Sequence, residues 1–325
     1  MLYTIDKKRI AEHRAFISSM QEREKRTPAR NIKVIIIPMF HFIKKANNLF
    51  IVIYRSKNLQ DPPYPTLLHI RGTGFNATAR YFSYITCSHI AEKSGCQVID
   101  LDHHLAPEYP YPRPFKDVYT SYKSIIHHAN SLQIDINKIA ISGYSSGGNL
   151  AALLTIRAKK DKRPVALQIL ISPLLDLSRS LKKYVKYENK DSFPNPLADW
   201  FIELYLQSKF YLHSSPEISP FWSNFLFNWP PTYFLFGEND RFRSDSEEFY
   251  TKLTQFGFWA HKSVLKKKNH SVFWQKMNVL ETVSAQLQMG LCLTKIPRQN
   301  FSFLLADDEP IDLEKKHQHS FQKKN

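Results

Sequence analysis

The segment Gly143-Tyr144-Ser145-Ser146-Gly147-Gly148 places a serine among small residues in the pattern Gly-X-Ser-X-Gly. Random placement of the chain's nine glycines and its serines would produce that pattern only about 0.02 times. A β-rich run at 138–142 leads into the motif and a helical run begins near Asn149, so the serine lies on a sharp strand-to-helix turn with its oxygen pushed outward. A serine hydroxyl is a poor nucleophile until a base removes its proton, and the base needs a carboxylate to hold its tautomer. Downstream, the apolar run 232–236 ends in Gly237-Glu238-Asn239-Asp240, and the run 261–265 leads through Lys266, Lys267, Lys268 and Asn269 to His270. Asp240 is the leading acid and His270 the leading base. Glu238 competes with Asp240 but lies closer to the strand end, and His261 competes with His270 but begins its strand and so points to the opposite sheet edge. In the plain structural alternative, Asp240 caps the helix that follows and His270 is a surface residue.

Acyl transfer further requires donors aimed at the developing oxyanion. The backbone N–H of Ser146 comes with the turn itself. Those of Thr73 and Gly74 are the other candidates, in the loop Arg71-Gly72-Thr73-Gly74-Phe75 after the third strand. Six of the nine glycines (Gly72, Gly74, Gly143, Gly147, Gly148 and Gly237) fall in these three loops. Around them, Phe75, Tyr144, Trp200, Phe201, Tyr205 and Trp222 are the aromatics expected to shape an apolar substrate pocket; those from 200 onward read equally well as local core.

These residues need a scaffold that brings distant loops to one edge. The sequence predicts a leading helical arm over 6–20, broken at Pro28, then a hairpin of strands at 32–37 and 49–54 and a third strand at 66–70. Beyond it, strands at 97–101, 138–142, 166–171, 232–236 and 261–265 alternate with helices at 79–93, 115–129, 148–159 and 244–256. That alternation is the signature of βαβ units and a parallel sheet. About fifty residues, 176–230, interrupt it with aromatics, prolines and a helical stretch near 197–206, and read as an inserted cap. Residues 298–325 are polar and charged and read as a flexible tail in which only 301–305 is apolar enough to dock.

The 325 residues are 43% hydrophobic and 14% aromatic, which excludes a disordered or fibrous chain. Three cysteines exclude a disulfide framework, and no Cys/His cluster has metal-ligand spacing. Residues 1–10 lack a signal-peptide core and the apolar run 34–43 is too short to span a bilayer, so the expected compartment is cytoplasmic; export without an N-terminal signal would leave the same trace. The net charge of +16 is concentrated early, with 13 Lys or Arg against four Asp or Glu in residues 1–57. A solvated helix face is the ordinary reading of such a basic arm, and an anionic membrane surface or an acidic partner is the functional one. Nucleic acid is set aside, because charge is unaccompanied by any recognition motif.

Over roughly residues 49–287 the chain resembles the hormone-sensitive-lipase-like esterases of the α/β-hydrolase fold. The resemblance rests on Gly72-Thr73-Gly74-Phe75, on Leu105-Ala106-Pro107-Glu108 with Pro112 and Asp117-Val118-Tyr119, and on the turn at 143–150. Ser172-Pro173, Ile218-Ser219-Pro220, Pro230-Pro231, the loop 237–240 and His270 complete it. It implies an α/β fold with a mostly parallel, eight-stranded central sheet flanked by helices in a hydrolase domain at 49–297. A small helical cap would come from the arm at 1–48 and an insertion at about 176–225. It also implies hydrolysis of a small-molecule acyl ester, of short or medium chain, through an acyl-enzyme and without metal or organic cofactor. Three segments depart from the family pattern. Arg71-Gly72-Thr73-Gly74 stands where His-Gly-Gly-Gly is usual, Tyr144 where Asp is usual, and His103-His104 where Tyr-Arg is usual. A β-branched Thr73 would be strained if the loop required a positive φ there. The rivals to an esterase are a ligand-binding protein of the same fold that has lost turnover and an enzyme that uses the same nucleophile on amides or thioesters.

Overall fold

The computed structural model describes residues 6–39, 49–178, 195–224, 228–270, 282–284, 286 and 287. Eight strands, β1 (Ile32–Pro38), β2 (Phe50–Ser56), β3 (Tyr64–Ile70), β4 (Gln97–Leu101), β5 (Ile134–Tyr144), β6 (Leu167–Ile171), β7 (Thr232–Gly237) and β8 (Ala260–Leu265), form one sheet. Their order is β1-β2-β4-β3-β5-β6-β7-β8. The pairings β1 with β2 and β2 with β4 are antiparallel, and those from β4 to β8 are parallel. The expected eight-stranded, mostly parallel sheet is thus observed, including the antiparallel opening pair, with Ile32 opposite Ser56 and Pro38 opposite Phe50. The connection between that pair lies outside the described residues, as do the tail at 298–325 and its segment 301–305. The strand containing the approach to Ser145 is longer than predicted, since β5 starts at Ile134, where it pairs with Tyr64 before the main register begins at Thr66.

The helices are α1 (Lys7–Glu22), α2 (Arg80–Ser94), α3 (Arg113–His127), α4 (Ser146–Lys160), α5 (Asn195–Leu206) and α6 (Arg243–Gln255). Strand side chains alternate between two cores. On β7, Phe234 and Phe236 face the core that holds Val118, Leu153 and Phe249, while Tyr233 and Leu235 face the one that holds Cys87, Ile90 and Leu287. Burial on both faces explains why the central strands read as unbroken apolar runs instead of alternating ones.

Helix α1 is weakly amphipathic and buries only Ile10 and Ile17, so its position depends on polar anchors. Asp6 caps it by accepting the Arg9 N–H at 3.0 Å. The Arg14 guanidinium grips both oxygens of Glu108 at 2.8 and 2.7 Å and donates to the Asn76 carbonyl at 2.8 Å. Arg9 lies 4.4 Å over the Trp200 ring of α5. The arm is thereby joined to α5 and to the loops at the carboxyl edge of the sheet.

Arg71 carries a second set of anchors. Its guanidinium is buried, bonds Asp102 directly and lies 3.7 Å from Asp100, and Arg80 reaches the other Asp102 oxygen at 3.2 Å. Burial pushes the Asp100 carboxyl up; burial acts the same way on Asp102, but Arg71 and Arg80 hold that group below its ordinary value. Removing one partner of a buried pair strands the other charge. Arg71→Ala is therefore expected to lower unfolding free energy by about 3–5 kcal/mol in denaturant titration.

Candidate active site

Because β3 and β5 to β8 are parallel, the loops that follow them open at one edge of the sheet, where open α/β sheets hold their ligands. Residues 71–75 follow β3, Ser145 follows β5, Asp240 follows β7 and His270 follows β8. At the turn Ser145 adopts φ 55° and ψ −120°, a conformation that costs a non-glycine residue about 1–3 kcal/mol and persists only where the surroundings impose it. They do so by contact: a Cβ at Gly143 would come within 2.1 Å of the Gly147 carbonyl oxygen, and one at Gly147 within 2.2 Å of the Ile70 carbonyl oxygen. Strand, helix and β3 therefore close on the serine, and side chains at either glycine would pry them apart.

Ser145 Oγ lies 2.9 Å from His270 Nε2, and His270 Nδ1 lies 3.0 Å from Asp240 Oδ1. Asp240 is fully buried and also accepts the Phe242 N–H at 2.9 Å. Burial alone would raise its carboxyl, but His270 outweighs it, with help from the Ser172 hydroxyl and the Phe242 N–H, and the group is held below its ordinary value. An ionised Asp240 accepts from Nδ1–H and leaves Nε2 free to take the serine proton. The two competing residues lie elsewhere. Glu238 turns its carboxylate to the Lys267 N–H at 2.8 Å, which ties the loop after β7 to the turn after β8. His261 lies on β8 opposite Tyr233, with the Ser263 hydroxyl 3.5 Å away.

The His270 ring is held on two sides. Tyr144 lies against it at 5.4 Å between centroids and 21° between planes, and Phe242 meets it edge-on at 4.8 Å. The Tyr144 hydroxyl donates to the His270 carbonyl at 2.7 Å, and burial pushes that phenol well above its ordinary value, so it remains a donor. Tyr144→Phe is expected to cost about 0.5–1.5 kcal/mol in unfolding free energy by removing that hydrogen bond. Denaturant melts of the two proteins check it.

These groups open on a cavity of about 60 Å³ lined by Gly72, Thr73, Gly74, Tyr144, Ser145, Ser146 and His270, with His13 and Ile17 from α1, Ala198 and Phe201 from α5, and Ala77, Ala79, Leu174 and Phe242. Tyr144 and Phe201 are the two expected pocket aromatics among these residues. The other four are used differently. Phe75 stacks on Tyr205 at 3.9 Å and both are fully buried in the core. Trp200 packs against Arg9 and His13, and Trp222 is 45% exposed with its indole N–H on Asp176. Composition flags aromatics but not the side of the helix they occupy: on the 12-residue α5, adjacent Trp200 and Phe201 both touch His13, but only Phe201 lines the cavity while Trp200 lies under Arg9.

Left-handed backbone in the loop after β3 falls on Gly74 (φ 60°) and Phe75 (φ 64°), so Thr73 escapes the strain that a β-branched residue would suffer there. The Thr73 N–H donates to the Ser146 side-chain oxygen at 3.0 Å. His13 was not singled out by the sequence, where it is an unremarkable residue of a basic arm. It enters the cavity because Trp200 and Phe201 hold its ring at 5.8 and 4.9 Å. Burial, then Arg14 and Arg9, lower it to about 4, which keeps it neutral near pH 7. Among the described residues no group of three or more His, Cys, Asp or Glu is arranged to hold a metal ion, and no helix is long and apolar enough to cross a membrane.

Strand order, the sharp turn at Ser145 and loop placement define an α/β hydrolase, and the chain belongs to the alpha/beta hydrolase fold family, whose sequence profile matches residues 67–274. Among its relatives is AB hydrolase superfamily protein C1039.03 of Schizosaccharomyces pombe, 29% identical over 217 residues that cover 64% of this chain and 61% of that one. An arylesterase of Saccharolobus solfataricus is 32% identical over 171 residues, 52% of this chain and 55% of the relative. The chain spans about three fifths of the length of the curated relatives it matches. Among solved structures, LAE6, an alpha/beta hydrolase enzyme from the metagenome of Lake Arreo, Spain, superposes with a TM-score of 0.79 at 25% identity, covering 86% of this chain and 89% of the other.

Proposed function

We propose that the protein is a serine hydrolase that cleaves short- to medium-chain carboxylic esters through an acyl-enzyme. The observation that carries this reading is the unbroken hydrogen-bonded line from Ser145 to His270 to Asp240, with Ser145 opening on a mostly apolar cavity. Ser145 attacks the acyl carbon as His270 takes its proton. Asp240 orients the imidazole and stabilises the imidazolium, and the loop carrying Thr73 and Gly74, together with the Ser146 N–H, surrounds the developing oxyanion with donors. His270 then returns the proton to the leaving alcohol, and a water activated by the same ring releases the acid. The arm carrying α1 and the segment carrying α5 act as a cap over this mouth, since each contributes a wall of the cavity. Similarity to a protein named arylesterase supports an ester as the substrate.

A binding protein of the same fold is the second reading, favoured by one observation: the Thr73 N–H, one of three expected oxyanion donors, is engaged by Ser146. A chain-length series of p-nitrophenyl esters separates the two. The hydrolase reading expects turnover with an optimum at short or medium acyl chains, together with labelling by a fluorophosphonate. A folded protein inert to both the series and the probe is the result that overturns it in favour of binding.

A further inference from the structure

The engagement of the Thr73 N–H has a chemical counterpart on the other side of the bond. Ser146 is the first residue of α4, only 2% exposed, and it lines the cavity with Ser145. Its side-chain oxygen accepts from Thr73. Among the described residues that N–H is its hydrogen-bond partner, and it occupies a lone pair, so the hydroxyl keeps its proton available to donate. We propose that Ser146 gives the oxyanion two hydrogen bonds, one from its backbone N–H and one from its side-chain hydroxyl, with Thr73 acting through that hydroxyl.

Three features support a donor over a plug. The N–H of Thr73 fixes the oxygen and leaves its O–H to turn about the Cβ–Oγ bond toward the cavity. An oxygen that accepts one hydrogen bond becomes a better donor of another, because the two polarise in the same sense. The register Ile70 opposite Gly143 also sets the loop after β3 directly beside the first turn of α4, so Thr73, Ser146 and the attacking Ser145 converge without further movement of the backbone. No proton is transferred: Ser146 retains its hydrogen throughout, and His270 remains the base.

This inference rests on the serine-hydrolase reading, and the test separates the two. Wild type, Ser145→Ala, Ser146→Ala and Ser146→Thr are compared on the best p-nitrophenyl ester, with inhibition by a trifluoromethyl ketone of matching chain length, whose adduct with Ser145 carries the oxyanion. Ser146→Ala is expected to lower kcat by about 100-fold, to weaken the ketone by a similar factor and to leave KM within about twofold; Ser146→Thr, which keeps a hydroxyl, retains most of the activity. Turnover by Ser146→Ala at or above the wild-type rate overturns the proposal, since the hydroxyl would then be blocking Thr73. So does a lower kcat with undiminished ketone affinity, which would assign Ser146 to holding the loop alone. If wild type itself neither turns over esters nor reacts with a fluorophosphonate, the parent reading fails instead.

Discussion

Ser145→Ala is expected to lower kcat for the best p-nitrophenyl ester by about 10⁶-fold, with a melting temperature close to that of wild type. The size of the loss follows from the chemistry: without Oγ there is no acyl-enzyme, and only cavity binding and oxyanion donors remain to assist water. The small size of the stability change follows from the backbone, since φ 55° is held by surrounding contacts that remain and an alanine there loses only a hydroxyl bonded to His270. Activity and fluorophosphonate labelling should disappear together. Retained turnover in the variant would remove Ser145 from the mechanism.

Asp240→Asn is expected to lower kcat by about 10⁴-fold while leaving KM within a few-fold. An amide in place of the carboxylate can offer its N–H to Nδ1, which favours the tautomer with the proton on Nε2, where it cannot accept from Ser145. The same residue makes a pH prediction. Its carboxyl is held below the ordinary value by His270 despite full burial, so ionised Asp240 contributes stability that is complete above the unfolded-state value and is lost as pH falls through the lower folded-state one. Wild type should therefore lose stability in that acid range more steeply than Asp240→Asn, as followed by thermal melts across pH. Equal acid sensitivity in the two proteins would mean that Asp240 is not the held-down group.

Much of this arrangement was legible along the chain. Gly-X-Ser-X-Gly between a strand and a helix is a local pattern, because the sharp turn needs small residues at fixed offsets whatever surrounds it. The alternation that specifies the parallel sheet is likewise carried by short windows of apolar residues. Placing Asp240 and His270 just after two of those strands required no more than knowing that parallel strands share a carboxyl edge. The antiparallel opening pair was readable for the same reason, from two β-rich runs separated by a short polar connection.

Partners across that edge were decided only by tertiary structure. Glu238 and Asp240 are two residues apart with the same chemistry, and what separates them is that the turn after β8 presents the Lys267 N–H to one and the His270 ring to the other. Trp200 and Phe201 are adjacent aromatics of which the packing of α1 against α5 sends one to Arg9 and the other into the cavity. Arg71 reads in sequence as a departure from a glycine-rich loop, and in the fold it is the buried partner of Asp102 thirty-one positions away. Sequence determined the elements and the order of the reactive residues, since both follow from backbone preferences acting over a few residues. Which side chains meet follows from the distances that the sheet register and helix packing impose between segments far apart in the chain.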